Sequence, residues 1–230
     1  NRIAFSLLWQ LAGEQALREA GWLRRLGIHM NEARLLGTMI SRQTNSPFTS
    51  SVGRLFDGIA ALVLQVHEAT YEGEAAVALE ANADESVDEC YPMPSHDSLS
   101  DVPRGDWRPM LLAIILDLDR KVAAPRIAAK FHNSLAGWAE SIVNQQPLTD
   151  VVLSGGCFQN RLLAEKVCSR LRQSGRNVFL HRSVPPGDGG VAAVRGHAHL
   201  CRPRVQVLLP HLQQRSALAR ARQSDIREAG

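Results

Sequence analysis

Cysteine is sparse in this chain, and none of it falls in a metal-binding or cross-linking spacing. The four, Cys90, Cys157, Cys168 and Cys201, include no C-x-x-C pair, which argues for reduced thiols and against a zinc site or a disulfide framework. Long hydrophobic runs are also missing. The longest apolar stretches, around Gly58 to Val66 and Met110 to Leu116, fall far short of the roughly 18 to 20 residues of a bilayer span, so no membrane partner is expected. Most of the chain lacks a charge excess as well. The net charge is +3, but from Cys201 to Gly230 six arginines face two acids, so this tail is +4 and residues 1 to 200 carry −1. A nucleic-acid partner is disfavoured, because such binding needs clustered positive charge on the folded body. Position 1 is Asn, and no charged segment with an apolar run follows it. The chain is therefore read as cut from a longer protein, without a secretion signal and cytoplasmic.

What is present is the balance of a globular chain: 230 residues, 45% hydrophobic and 21% charged, with no internal repeat. The first forty residues have helical apolar spacing, with Ile3, Leu7, Leu8 and Leu11 on one face. Asn, Ser, Thr and Pro crowd 42–51, which reads as a loop delivering a helix N-terminus near Ser51. A helix from about Val52 to Ala69 is expected next, then one from Tyr71 to Glu80. Residues 81–108 are acidic, contain Ser and Pro, and show no period. They are expected to be a disordered loop rather than a functional excursion. Helices resume at Met110–Asp119 and Ala124–Val143, the latter with Ile127, Phe131, Leu135, Trp138 and Ile142 in one stripe. After Pro147 the order becomes strand, glycine turn, helix, strand, glycine turn, helix, the pattern of a layered α/β sheet. The expected divisions are a helical part at 1–146, an α/β part at 147–200, and a basic, poorly ordered tail at 201–230.

Three places could carry chemistry. In Val151 to Asn160, a β-branched run ends in Ser154, Gly155 and Gly156 before a helix. Glycines let backbone N–H groups approach an anion, and a helix N-terminus adds positive potential. A plain tight turn would have the same glycines. Neither a P-loop nor a dinucleotide fingerprint is present. In Pro185 to Gly190, Asp188 stands on a stiff loop before a helix, either as a metal or water ligand or as a helix cap. Asp57 and Glu72 flank a helix-to-helix connection and are either ribose-binding carboxylates or plain surface acids. His132 reads as a satisfied core or boundary histidine. No nucleophile–base pair stands out, so no catalytic residue is assigned.

Five segments carry a family resemblance: Thr49 to Leu62 (TSSVGRLFDGIAAL), Thr70 to Ala76 (TYEGEAA), Phe131 to Ala136 (FHNSLA), Leu153 to Leu163 (LSGGCFQNRLL) and Val184 to Gly190 (VPPGDGG). Their order and spacing resemble the C-terminal part of the hydrogenase maturation carbamoyltransferases, HypF, over about residues 1 to 200. That part is similar to the tRNA threonylcarbamoyladenosine synthase fold. The resemblance implies a helix-rich α/β fold, the second lobe of an actin/sugar-kinase-type ATPase domain with a large helical insertion. It also implies a carbamoyltransferase of nickel–iron hydrogenase maturation. Carbamoyl phosphate and ATP would give carbamoyladenylate, whose carbamoyl group passes to the C-terminal cysteine of a HypE-type partner. On this chain Ser154, Gly155, Gly156 and Asn160 would contact the adenylate. Asp57, Glu72 and Gly73 would face ribose and adenine, and Asp188 would bind a divalent metal, whether iron, zinc or magnesium. The family's H-x-x-x-H metal pair is absent from the chain, as are the upstream activating regions. The alternatives are a non-catalytic remnant that keeps nucleotide or partner binding, or a tRNA threonylcarbamoyl transferase relative.

Overall fold

A computed structural model describes residues 1–96, 104–181 and 205–208. Helix α1 (Arg2–Ala12) turns Ala4, Phe5, Leu7 and Leu8 inward, the spacing that puts four side chains on one helical face. A 3-10 turn at Gly13–Leu17 leads to α2 (Ala20–Leu26), which ends where Gly27 takes a left-handed conformation. Helix α3 (Met30–Ser41) follows. Helix α4 (Val52–Val63) runs through the core, with eight of its residues buried. It lies so close to α1 that a Cβ on Gly58 would sit 2.5 Å from Cδ1 of Leu7, so any larger residue would have to displace that side chain. Its last carbonyls, those of Leu62 and Val63, accept hydrogen bonds from the Arg25 guanidinium.

The helix stops at Val63, short of the expected Ala69, and the chain turns at Gln65 with φ of 58°. Helix α5 spans Glu74–Asn82 behind a left-handed Gly73, three residues later than the expected start at Tyr71. Glycine at 73 fixes this boundary, because its φ of 86° lies outside the helical region.

The expected disorder of 81–108 is overturned for most of its length; only 97–103 lie outside the described residues. Val87 and Tyr91 are buried. The irregular backbone is held by side chains of α7 (Ala124–Asn144). Asn133 Nδ2 donates to the carbonyls of Val87 and Glu89 at 2.7 and 2.9 Å, and the Tyr91 N–H donates to Ser134 Oγ at 2.7 Å. Buried backbone must find partners, and here a helix face supplies what a sheet ladder otherwise would. Strands β1 (Ser95–His96) and β2 (Arg104–Gly105) pair antiparallel and lead into α6 (Arg108–Asp119).

The α/β part is a parallel sheet centred on β3 (Asp150–Ser154), with β4 (Asn177–Leu180) on one side and β5 (Val205–Leu208) on the other. Helix α8 (Arg161–Gln173) links β3 to β4 and packs on α7, so helical and sheet parts share one apolar core. Val205–Leu208, within the expected tail, pairs in register with Val151 to Ser154. The helices expected at 191–199 and 213–222 lie outside the described residues. Among the described residues no helix is long and apolar enough to cross a membrane.

Candidate functional site

Strand β3 ends at Ser154, and the chain reverses through Gly155 at φ 112° and ψ 151°, a region open in practice only to glycine. A side chain at Gly156 would meet no described atom within 4 Å, and one at Gly155 only Sγ of Cys157 at 3.9 Å. The space above the turn is therefore open to an outside molecule as far as the described residues go. A 3-10 turn (Gly156–Gln159) then delivers Asn160, which caps α8 by accepting the Leu163 N–H on Oδ1 at 2.8 Å. The turn thus lies at the carboxyl end of a parallel strand and at a helix N-terminus, where open α/β sheets bind anions.

The groups around the turn have defined states. Burial pushes the Cys157 thiol up to about 11, so it is not a thiolate at neutral pH. Ser154, 3% exposed, shares a hydrogen bond of 3.0 Å with His181 Nε2 at the end of β4. Arg161, first in α8, is engaged by Glu165 at 2.9 Å, Glu85 at 3.3 Å and Glu80 at 3.8 Å.

Asn160 spends its amide inside the protein. With Oδ1 at the cap, Nδ2 faces the Ala76 carbonyl at 3.4 Å and Nε2 of His132 at 3.2 Å. His132 is fully buried, and its Nδ1 lies 2.8 Å from the Ala128 carbonyl. A carbonyl only accepts, so Nδ1 carries the proton and Nε2 is left to accept from Asn160. Burial first, and then the charge of Lys166, push the imidazole down to about 4, so it is neutral.

The sequence-derived residues divide accordingly. Ser154, Gly155, Gly156 and Asn160 come together at the turn. Gly73 lies three residues before Ala76, whose carbonyl faces Asn160 at 3.4 Å. The Asp57 carboxylate is bound to Arg54 at 2.9 Å; burial raises its pKa and the Arg54 ion pair opposes the rise. Glu72 is exposed, and no hydrogen bond or ion pair among the described residues joins it to Asp57. Asp188 lies outside the described residues. Among the described residues no three His, Cys, Asp or Glu side chains group into a metal centre. His132 is the satisfied core histidine that the sequence suggested, whereas its bond to Asn160, and His181 altogether, were marked by no motif.

A helical layer on a parallel sheet, with a glycine turn at the head of α8, is the build of a Kae1-like domain. The family model for the carbamoyltransferase Kae1-like domain, second subdomain, matches residues 1–193. The chain belongs to the carbamoyltransferase HypF family. It is 34% identical over 221 residues to "Carbamoyltransferase HypF" of Synechocystis sp., covering 87% of this chain and 28% of that one. With "Carbamoyltransferase HypF homolog" of Cupriavidus necator it shares 35% identity over 207 residues, covering 84% and 52%. A solved structure described as full-length HypF in the phosphate- and nucleotide-bound form superposes with a TM-score of 0.69 at 30% identity, over 76% of this chain and 24% of that one. HypF of T. kodakarensis shares the fold at a TM-score of 0.61 and 21% identity, over 82% and 26%. The chain thus spans about a quarter to a half of the length of these relatives.

Proposed function

We propose that this chain is the lobe of a carbamoyltransferase that presents carbamoyladenylate for transfer, the second lobe of an actin/sugar-kinase-type domain. The observation that carries this reading is the Gly155 turn, with open space above it at the end of β3 and the head of α8. An adenylate phosphate would sit there, against Ser154, Gly155 and Gly156. Ribose and adenine would lie towards Gly73, Asp57 and Glu72. Asn160 acts from beneath the turn rather than by touching the nucleotide, because both sides of its amide are engaged. The carbamoyl donor arises from carbamoyl phosphate and ATP. The thiolate at the C-terminus of a HypE-type partner attacks the carbamoyl carbon, and AMP leaves with the bonding electrons. The residues described do not assemble a metal site. Asp188 would give one carboxylate to a divalent cation whose other ligands lie elsewhere, and no step is drawn through it. The reaction takes place in the cytoplasm, where carbamoyl phosphate and ATP are available.

Gly155→Val tests the turn. In the protein expressed from its own gene, the variant should lose about tenfold or more in AMP affinity, or about 1.4 kcal/mol, because valine cannot hold the backbone at φ 112°. Wild-type AMP affinity in a folded Gly155→Val protein would remove the phosphate from this turn.

A further inference from the structure

Three elements meet at His132: α7, which carries it, α4 and the head of α8. Its ring is 5.3 Å from that of Phe56 on α4 and inclined at 66°, and 5.8 Å from that of Phe131, in edge-to-face contacts that fix its plane. Its Nδ1 is tied to α7 through Ala128, and its Nε2 faces Asn160 at the head of α8. Asn160 in turn reaches α5 at Ala76 and caps α8 at Leu163. The glycine turn runs directly into Asn160, and Gly73 is within one turn of Ala76. Through Asn160 the imidazole is therefore joined to the head of α8 and to α5. Each bond also dictates the next. The Ala128 carbonyl requires a proton on Nδ1, that tautomer makes Nε2 an acceptor, and an acceptor there requires the amide nitrogen of Asn160. The amide oxygen is thereby turned to the Leu163 N–H. Reversing any member would leave two donors or two acceptors facing each other in the core.

We propose that His132 is a positioning residue of the candidate site: through Asn160 it fixes the glycine turn and the head of α8 against α5, setting the distance between the phosphate and nucleoside sides. This rests on the reading of the turn as an adenylate site. His132 touches no ligand itself. Its role is to orient, and its neutral state belongs to that role.

The test uses the protein expressed from its own gene, with AMP as the probe and circular dichroism to confirm folding. His132→Gln can place an amide oxygen where Nε2 stands, whereas His132→Leu offers no acceptor. Asn160→Asp keeps the helix cap but removes the amide donor. We expect His132→Gln to stay within about threefold of wild-type AMP affinity, and His132→Leu and Asn160→Asp to lose about tenfold or more. The His132→Leu/Asn160→Asp double variant should lose no more than the worse single one, because both break one connection. In Asn160→Asp the ring can bond the new carboxylate only by donating, so its titration, followed by 15N NMR, should rise well above the wild-type value. A folded His132→Leu protein that binds AMP like the wild type overturns the proposal, as does an unmoved His132 titration in Asn160→Asp. If His132→Leu does not fold, the comparison of His132→Gln with Asn160→Asp decides. Wild-type protein that binds no AMP removes the adenylate reading and the positioning role together. Wild-type binding left intact by all the variants removes the positioning role alone.

Discussion

His132 titrates near 6.5 in an unfolded chain and at about 4 in the folded protein, where burial and then the charge of Lys166 disfavour the imidazolium. Between those values the unfolded state binds a proton that the folded state does not. Stability is therefore full above about 6.5 and falls as the pH drops towards 4. At about 1.4 kcal/mol per pH unit the loss reaches roughly 3 kcal/mol. Urea melts at pH 7 and pH 4.5 should show it, and His132→Gln, which does not titrate, should flatten that part of the profile. An equal pH slope in variant and wild type would assign the acid sensitivity to other groups. The sequence alone could not supply this prediction. It placed His132 beside the α7 stripe, but the burial that holds the ring neutral and the bond to Asn160 come from neighbours on other elements.

Among the elements, the segment between α5 and β1 behaves least like its sequence. Residues 83–94 have no period, yet Tyr91 donates its hydroxyl to Asp117 Oδ2 at 2.8 Å, and Lys130 Nζ bonds the same oxygen at 2.6 Å. The ammonium also lies 4.2 Å from the centroid of the Tyr91 ring. Burial alone would raise the Asp117 carboxyl, but the bonds from Lys130 and Tyr91 outweigh it and hold the group below the usual carboxylate range. Burial, then Asp117, raises the Tyr91 phenol, so it stays a donor. Tyr91→Phe should cost about 1 to 2 kcal/mol in thermal or urea melts and speed hydrogen exchange in 83–94. Lys130→Met, which leaves a mostly buried carboxylate without its cation, should cost about 3 kcal/mol or more. Exchange in 83–94 that is unchanged by Tyr91→Phe would mean that the segment's other bonds, those from Asn133 and Ser134 among them, suffice to hold it.

For the whole molecule the question is how much of a nucleotide site one chain can hold. The chain spans 28% of the cyanobacterial relative and 52% of the homolog from Cupriavidus necator. In the cyanobacterial relative most of the protein lies outside the matched part, and a nucleotide held on part of a site gains little burial. We expect these 230 residues alone to bind AMP with a Kd of about 1 mM or weaker, measured by calorimetry. Micromolar binding by the same 230 residues would show that the site is complete within them.

The sequence by itself determined the helical faces, the run from β3 through the glycine turn into α8, and the family, because each is written in neighbouring residues as a period or a motif. Tertiary structure alone decided the rest. The Asn133 bonds to Val87 and Glu89 join positions 46 and 44 apart, the His132–Asn160 pair 28, and the Ser154–His181 pair 27. It also placed Val205–Leu208 beside β3. Hydrogen-bond partners, protonation states and strand neighbours are set by which groups meet in space. No local pattern encodes such a meeting, because it requires the intervening helices to have packed first.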